Sequence, residues 1–203
     1  MFVPEGKKTL NSQTMHKKLL SIVLLLATAA GVAAAQDGQR YGIKSGILTQ
    51  RSEMGETTVY FDDYGAREAQ QMKMNFMGME TEMTILRKDG KVYMINTTEK
   101  QVQEMPAGGM GGADINFLAL TDAVKSANKI KEAGKETILG RECTKYTMES
   151  SQMGMTMAQT VWVWKGITLK SLTDGGQFQF GNEAVKLEEN AEIPASVFEI
   201  PKF

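Results

Sequence analysis

Histidine and cysteine are almost missing from this 203-residue sequence, which has one of each, His16 and Cys143. His16 falls in an N-terminal stretch that reads as a cleaved export signal, so the mature chain is expected to hold no histidine. That excludes a Ser-His-Asp or Cys-His catalytic set. It also excludes the usual zinc sites built from histidine and cysteine. A single cysteine forms no internal disulfide. Basic tracts of five or more residues are absent as well. After removal of the N-terminal stretch, 19 basic and 23 acidic residues leave a net charge of −4. Nucleic acid and anionic membrane surfaces are therefore poor partners. Nothing in the sequence asks for a cofactor, and the expectation is a protein that is not an enzyme.

The export signal starts at Met15. His16, Lys17 and Lys18 form its charged start, Leu19 to Leu26 its apolar run, and Ala33 to Ala35 its small-residue end. This is the layout of a secretory signal peptide, with cleavage expected between Ala35 and Gln36. Residues 1–14 have no targeting logic and read as an early mis-assigned start or a disordered extension. The expected mature domain is 36–203, a single unit of 168 residues. That length suffices to bury a core. No integral membrane segment is expected in it. The expected location is the periplasm of a Gram-negative bacterium, and the expected state is a monomer.

What remains is mostly strand-like. ETTVYFDDYG alternates and ends on a turn signal. Lys88-Asp89-Gly90-Lys91 predicts a tight hairpin, because Asp-Gly supplies the positive φ angles that such a turn needs. A further strand pair is expected at GITLKSLT and QFQFGNEAVKLEE, joined by Asp174-Gly175-Gly176. AGGMGGAD, from Ala107, lacks a phosphate-loop pattern and reads as a linker. One helix is expected in INFLALTDAVKSANK, capped by Asp114 and ending near Asn128. Trp162 and Trp164 share one strand face, and packing beneath this helix is the simplest role for them. Asp62-Asp63 reads as a solvated turn, since adjacent strand residues diverge. Cys143 reads as a buried inert thiol.

Methionine is unusually frequent, at 15 of 203. MKMNFMGMETEM (72–83) holds five and MESSQMGMTM (148–157) four. In the second cluster Met153, Met155, Met157, Gln159, Val161 and Val163 share one parity, so in a strand they share one face. Met72, Met74 and Phe76 share a face in the first cluster. Beyond Gly78, Met79, Thr81, Met83 and Ile85 do the same. Two readings follow. In one, Met72, Met74, Phe76, Met153, Met155, Met157, Val161 and Val163 line an apolar cavity, where the adaptable thioether chain suits a variable guest. In the other, Met72, Met74, Met77, Met79, Met153, Met155 and Met157 bind Cu(I) or Ag(I), ions soft enough to prefer sulfur.

Several phrases, in this order, carry a family resemblance: YGIKSGILTQ, TTVYFDDYGARE, VYMINTTEKQ, ETILGRECTKY, VWVWKGITLKS and ASVFEIPKF. Together they resemble an uncharacterised family of exported bacterial proteins, the domain of unknown function numbered 4412. That family is similar in architecture to the lipoprotein carriers LolA and LolB. The resemblance implies a mainly β (α+β) fold, a curved antiparallel sheet or half-open barrel with one main helix on its concave side. It implies an apolar small molecule or lipid as partner, with other envelope proteins possible. The leading expectation is thus a carrier of a lipid or acyl chain. The alternatives are a methionine-based Cu(I)/Ag(I) protein and an envelope structural or interaction protein with no ligand.

Overall fold

The computed structural model describes residues 39–53, 55–76, 79–105, 115–152, 155–176 and 179–203. The export signal, its Ala35/Gln36 junction, the linker from Ala107 to Asp114, Met77, Gly78 and Met153 lie outside the described residues.

Eleven strands form one antiparallel, curved and unclosed sheet. They are β1 (Gly46–Ser52), β2 (Gly55–Asp62), β3 (Arg67–Phe76), β4 (Met79–Lys88), β5 (Lys91–Asn96), β6 (Gln101–Met105), β7 (Lys131–Ile138), β8 (Arg141–Gln152), β9 (Met155–Trp164), β10 (Ile167–Asp174) and β11 (Gln179–Glu189). Their spatial order is β6-β5-β4-β3-β2-β1-β11-β10-β9-β8-β7. Every neighbour pair but one is therefore consecutive in the chain. The exception, β1 with β11, joins two meanders through register pairs such as Leu48 with Leu187. The free edges are β6 and β7, which are consecutive in sequence. Pairing them would close an up-and-down barrel; instead residues 115–130, which lie between them in sequence, pack on the concave face.

Local chemistry sets the hairpins. Asp89 and Gly90 sit at φ 52° and 71°, the doubly positive turn that matches the twist of flanking strands. Lys165 and Gly166, at φ 47° and 80°, do the same between β9 and β10. Edge strand β7 is exposed along Lys131–Thr137 and is interrupted by a register shift between Glu132 and Lys135. Charges and a bulge of this kind discourage a second chain from adding to the edge.

The helix differs from the sequence expectation. It spans only Asp122–Ala127 (α1), with Thr121 as cap, its side chain accepting from the Val124 N–H. The reason lies in Asn116. Its side-chain oxygen accepts from the Leu118 N–H at 3.0 Å, its amide donates to the Gln39 carbonyl at 3.0 Å, and its carbonyl accepts from the Ala119 N–H at 3.1 Å. These bonds hold 116–119 in a turn, and Asn is a residue that competes with helix in this way.

The helix and its flanks cover the concave face of β8 and β9. Ile115, Phe117, Leu120, Val124 and Ile130 pack on Tyr146, Met148, Val161 and Val163. The tryptophans are not beneath them. Trp162 faces Lys145 and Lys170 in register, on the opposite, convex side. There its indole N–H donates to Glu136 at 2.6 Å, and the Lys145 and Lys170 ammoniums each lie 5.1 Å from the ring centre. The helix takes the face carrying Val161 and Val163, and alternation sends the tryptophans to the other. The C-terminal tail covers a second convex region, with Phe198 buried against Ala69, Leu86 and Ile95.

Candidate functional site

The concave face holds a cavity of about 300 Å³ that runs from β3 across β2, β1, β11 and β10 to β9. One wall carries Met72 and Met74 from β3. The other carries Met148, Gln159 and Val161 from β8 and β9. Leu48, Gln50, Thr57 and Val59 form the floor between them, continued by Thr168, Ser171, Thr173, Phe180 and Asn182. Ile115 and Phe117 roof part of it. The lining thus mixes thioether and aliphatic walls with a floor of hydroxyls and amides.

One end of the cavity is closed by charge. The segment 39–45 threads between two turns. The Arg40 and Tyr41 N–H groups both donate to the Tyr64 carbonyl, at 2.9 and 3.0 Å, and the Gly42 N–H donates to the Lys165 carbonyl at 2.9 Å. Tyr64 can serve because Asp63, Tyr64 and Gly65 all take positive φ, which turns the chain sharply after Asp62. Gly166 is needed on the other side, since a Cβ there would stand 2.2 Å from the Arg40 carbonyl oxygen.

This threading sets Arg40 and Tyr41 over Glu68, whose side chain is 4% exposed. The Tyr41 hydroxyl donates to Glu68 Oε2. The Arg40 guanidinium lies 3.6 Å from the same oxygen, and Gln70 Nε2 donates to Glu68 Oε1 at 2.7 Å. Arg87 faces Glu68 across the β3–β4 register. Burial alone would raise the Glu68 pKa. The Arg40 charge, the Tyr41 bond, the Arg87 charge and the Gln70 bond outweigh it and hold the carboxyl below its ordinary value. Burial and the Glu68 charge push the Tyr41 hydroxyl far above the usual tyrosine range. The cluster is therefore an ionised carboxylate with a neutral phenol and two guanidiniums.

Of the residues proposed from sequence, the cavity brings together Met72, Met74 and Val161. Val163 is buried one step away, under Ile115 and Ile130. Met157 is buried on the same β9 row at 1% exposure. Phe76 and Met79 are register partners on β3 and β4, and Met155 opens β9. Four strands separate the two methionine-bearing walls in the sheet, so pairing does not make the two clusters neighbours. Sequence reasoning missed the floor and the charged end. A signal for the latter was present, because Glu68 and Gln70 share parity with Met72 and Met74 and place polar groups on an inward row. Cys143 is fully buried on the convex side, and burial raises its pKa, as suits an inert thiol.

Residues 47–193 match the profile of a domain of unknown function, DUF4412. The chain belongs to that family. No curated protein matches it. Among solved structures, this DUF4412 chain is similar to one in the MucA/MucB complex of Pseudomonas aeruginosa, with a TM-score of 0.47 and 15% identity, over 77% of this chain and 56% of that one. It thus spans just over half the length of that chain. It is also similar to the lipoprotein LppX of Mycobacterium tuberculosis, with a TM-score of 0.41 and 11% identity, over 75% and 90% of the two chains. LprF of Mycobacterium bovis is a third, with a TM-score of 0.39 and 10% identity, over 76% and 89%. Among the described residues, no helix of this DUF4412 member is long and apolar enough to cross a membrane.

Proposed function

We propose that this protein is exported and carries a lipid or acyl-chain guest in its concavity, without catalysing a reaction on it. The observation that supports this most is the cavity between the Met72/Met74 wall and the Met148/Val161 wall. Its size is at the lower end of the roughly 300–1,000 Å³ of small-molecule sites. Methionine side chains adapt to guests of irregular shape. The floor refines the guest's chemistry. Covering the floor hydroxyls of Thr57, Thr168 and Thr173 with a bare alkyl chain would cost about 1–3 kcal/mol for each group left without a partner. The guest is therefore an amphiphile, with its polar part over the floor and its chain between the walls. Export rests on the signal layout from Met15 to Ala35.

Native mass spectrometry of the protein purified from the envelope without strong detergent tests the proposal. A lipid or acyl-chain adduct at one per chain supports it. A bare chain that also fails to take up added lysophospholipid or fatty acid would leave a sheet that packs without a guest, and the proposal would fall.

A further inference from the structure

We infer that Met72, Met74 and Met83 form a site for one soft monovalent cation, Cu(I) or Ag(I), on the β3–β4 wall of the concavity. The inference is independent of the lipid guest. Met72 and Met83 are directly opposed in the β3–β4 register, and Met74 follows Met72 on the same face. Directly opposed residues have Cβ atoms about 4.5–5.5 Å apart and diagonal ones about 7–8 Å, within reach of long side chains. Three flexible thioethers can therefore converge on one ion. Met83 is 2% exposed, and Met72 and Met74 line the cavity, so the base of the site is dry while one side opens inward.

The surroundings fit this chemistry. Gly55 is the register partner of Met74 on β2, so no side chain stands beside Met74 on that strand. It cannot be enlarged, since a Cβ would lie 2.1 Å from the Lys73 carbonyl oxygen. The charged pair at this level, Lys73 and Glu82 at 3.4 Å, belongs to the opposite face. A charge-free set of three thioethers favours Cu(I) over harder divalent ions, which need imidazole or carboxylate. Among the described residues, no group of three or more His, Cys, Asp or Glu side chains offers such a competing site. The trio also differs from the set suggested by sequence. It takes Met83 from β4, and it needs nothing from β9.

The test is titration of the purified protein with Ag(I) in chloride-free buffer, read by native mass spectrometry. One tightly held ion is expected. M72L/M74L/M83L should lose it, because leucine keeps apolar volume but offers no sulfur. M148L/M157L, on the other wall, should keep it, and so should Cys143→Ala. Circular dichroism of each variant confirms that the sheet is intact; should the triple variant not fold, Met74→Leu alone, at a half-buried position, must weaken binding. The inference is overturned if the wild-type protein holds no Ag(I), if the folded triple variant binds as the wild type does, or if binding disappears with Cys143→Ala or M148L/M157L. Uptake of an acyl guest is measured separately, on the wild-type protein without metal, so a failure of the ion site is distinct from a failure of the carrier reading.

Discussion

Replacing Glu68 by glutamine isolates the charge at the closed end of the cavity. The change keeps volume, and the amide oxygen can still accept from Tyr41. What disappears is the carboxylate charge that lies between Arg40, 13% exposed, and Arg87 across the register pair. Removing one partner of a buried ion pair typically costs about 3–5 kcal/mol. The retained hydrogen bonding places Glu68→Gln near the lower bound, about 3 kcal/mol. For a chain of this size that lowers Tm by about 6–12 °C. The matched control is Glu56→Gln, which removes an exposed pair with Arg51 whose side chains are 46% and 68% exposed. It should cost no more than about 1 kcal/mol. Acid supplies a second readout. Glu68 has a folded-state pKa below its ordinary value, so its stabilisation is present above the unfolded carboxyl pKa of about 4.3 and is lost as pH falls through the folded one. The stability gap between wild type and Glu68→Gln, from urea melts at stepped pH, should therefore close on acidification. A neutral-pH cost under about 1 kcal/mol, or a gap that acid leaves unchanged, would refute the buried-charge reasoning.

Two further outcomes follow from the same end of the molecule. Gly166→Ala forces a Cβ against the Arg40 carbonyl and strains a residue at positive φ; urea melts should show a loss of at least about 1–3 kcal/mol. Tyr41 is pushed upward by burial and the Glu68 charge, so its neutral form is favoured in the folded state. That stabilisation is present below the ordinary tyrosine pKa of about 10 and is lost as pH rises toward the folded value. Wild-type stability should fall in strong alkali, and Tyr41→Phe should blunt that fall.

Local features were legible in the sequence because local chemistry decides them. Asp89-Gly90 specified its hairpin through positive φ, and the parity of Met157, Gln159, Val161 and Val163 correctly assigned them one face of β9. Non-local features were not legible. The β1–β11 pairing joins segments more than a hundred residues apart, and nothing in either strand names the other. The helix start was misplaced because Asn116 offers its side chain to the backbone and defers helix to Thr121. The tryptophans were set under the helix because periodicity groups residues by face without saying which face looks inward. The methionines of the two clusters looked like one population, but the sheet order puts Met72 and Met74 on one wall and Met148 on the other, with a polar floor between. Glu68 and Gln70 on the methionine row marked the charged end, although neither residue alone identified Arg40 or Tyr41 as its partners.

The concavity as the place where the guest sits is tested most directly by filling it. Thr57 faces the cavity, and Thr58, next to it on β2, faces the opposite side. An anilinonaphthalene probe, displaced by added fatty acid, reports guest binding in Thr57→Trp and Thr58→Trp, with circular dichroism confirming the sheet in both. If the guest lies between the methionine walls, the indole at 57 abolishes probe binding and the one at 58 leaves it near the wild-type level. Equal binding by the two variants, or loss in Thr58→Trp alone, would contradict it.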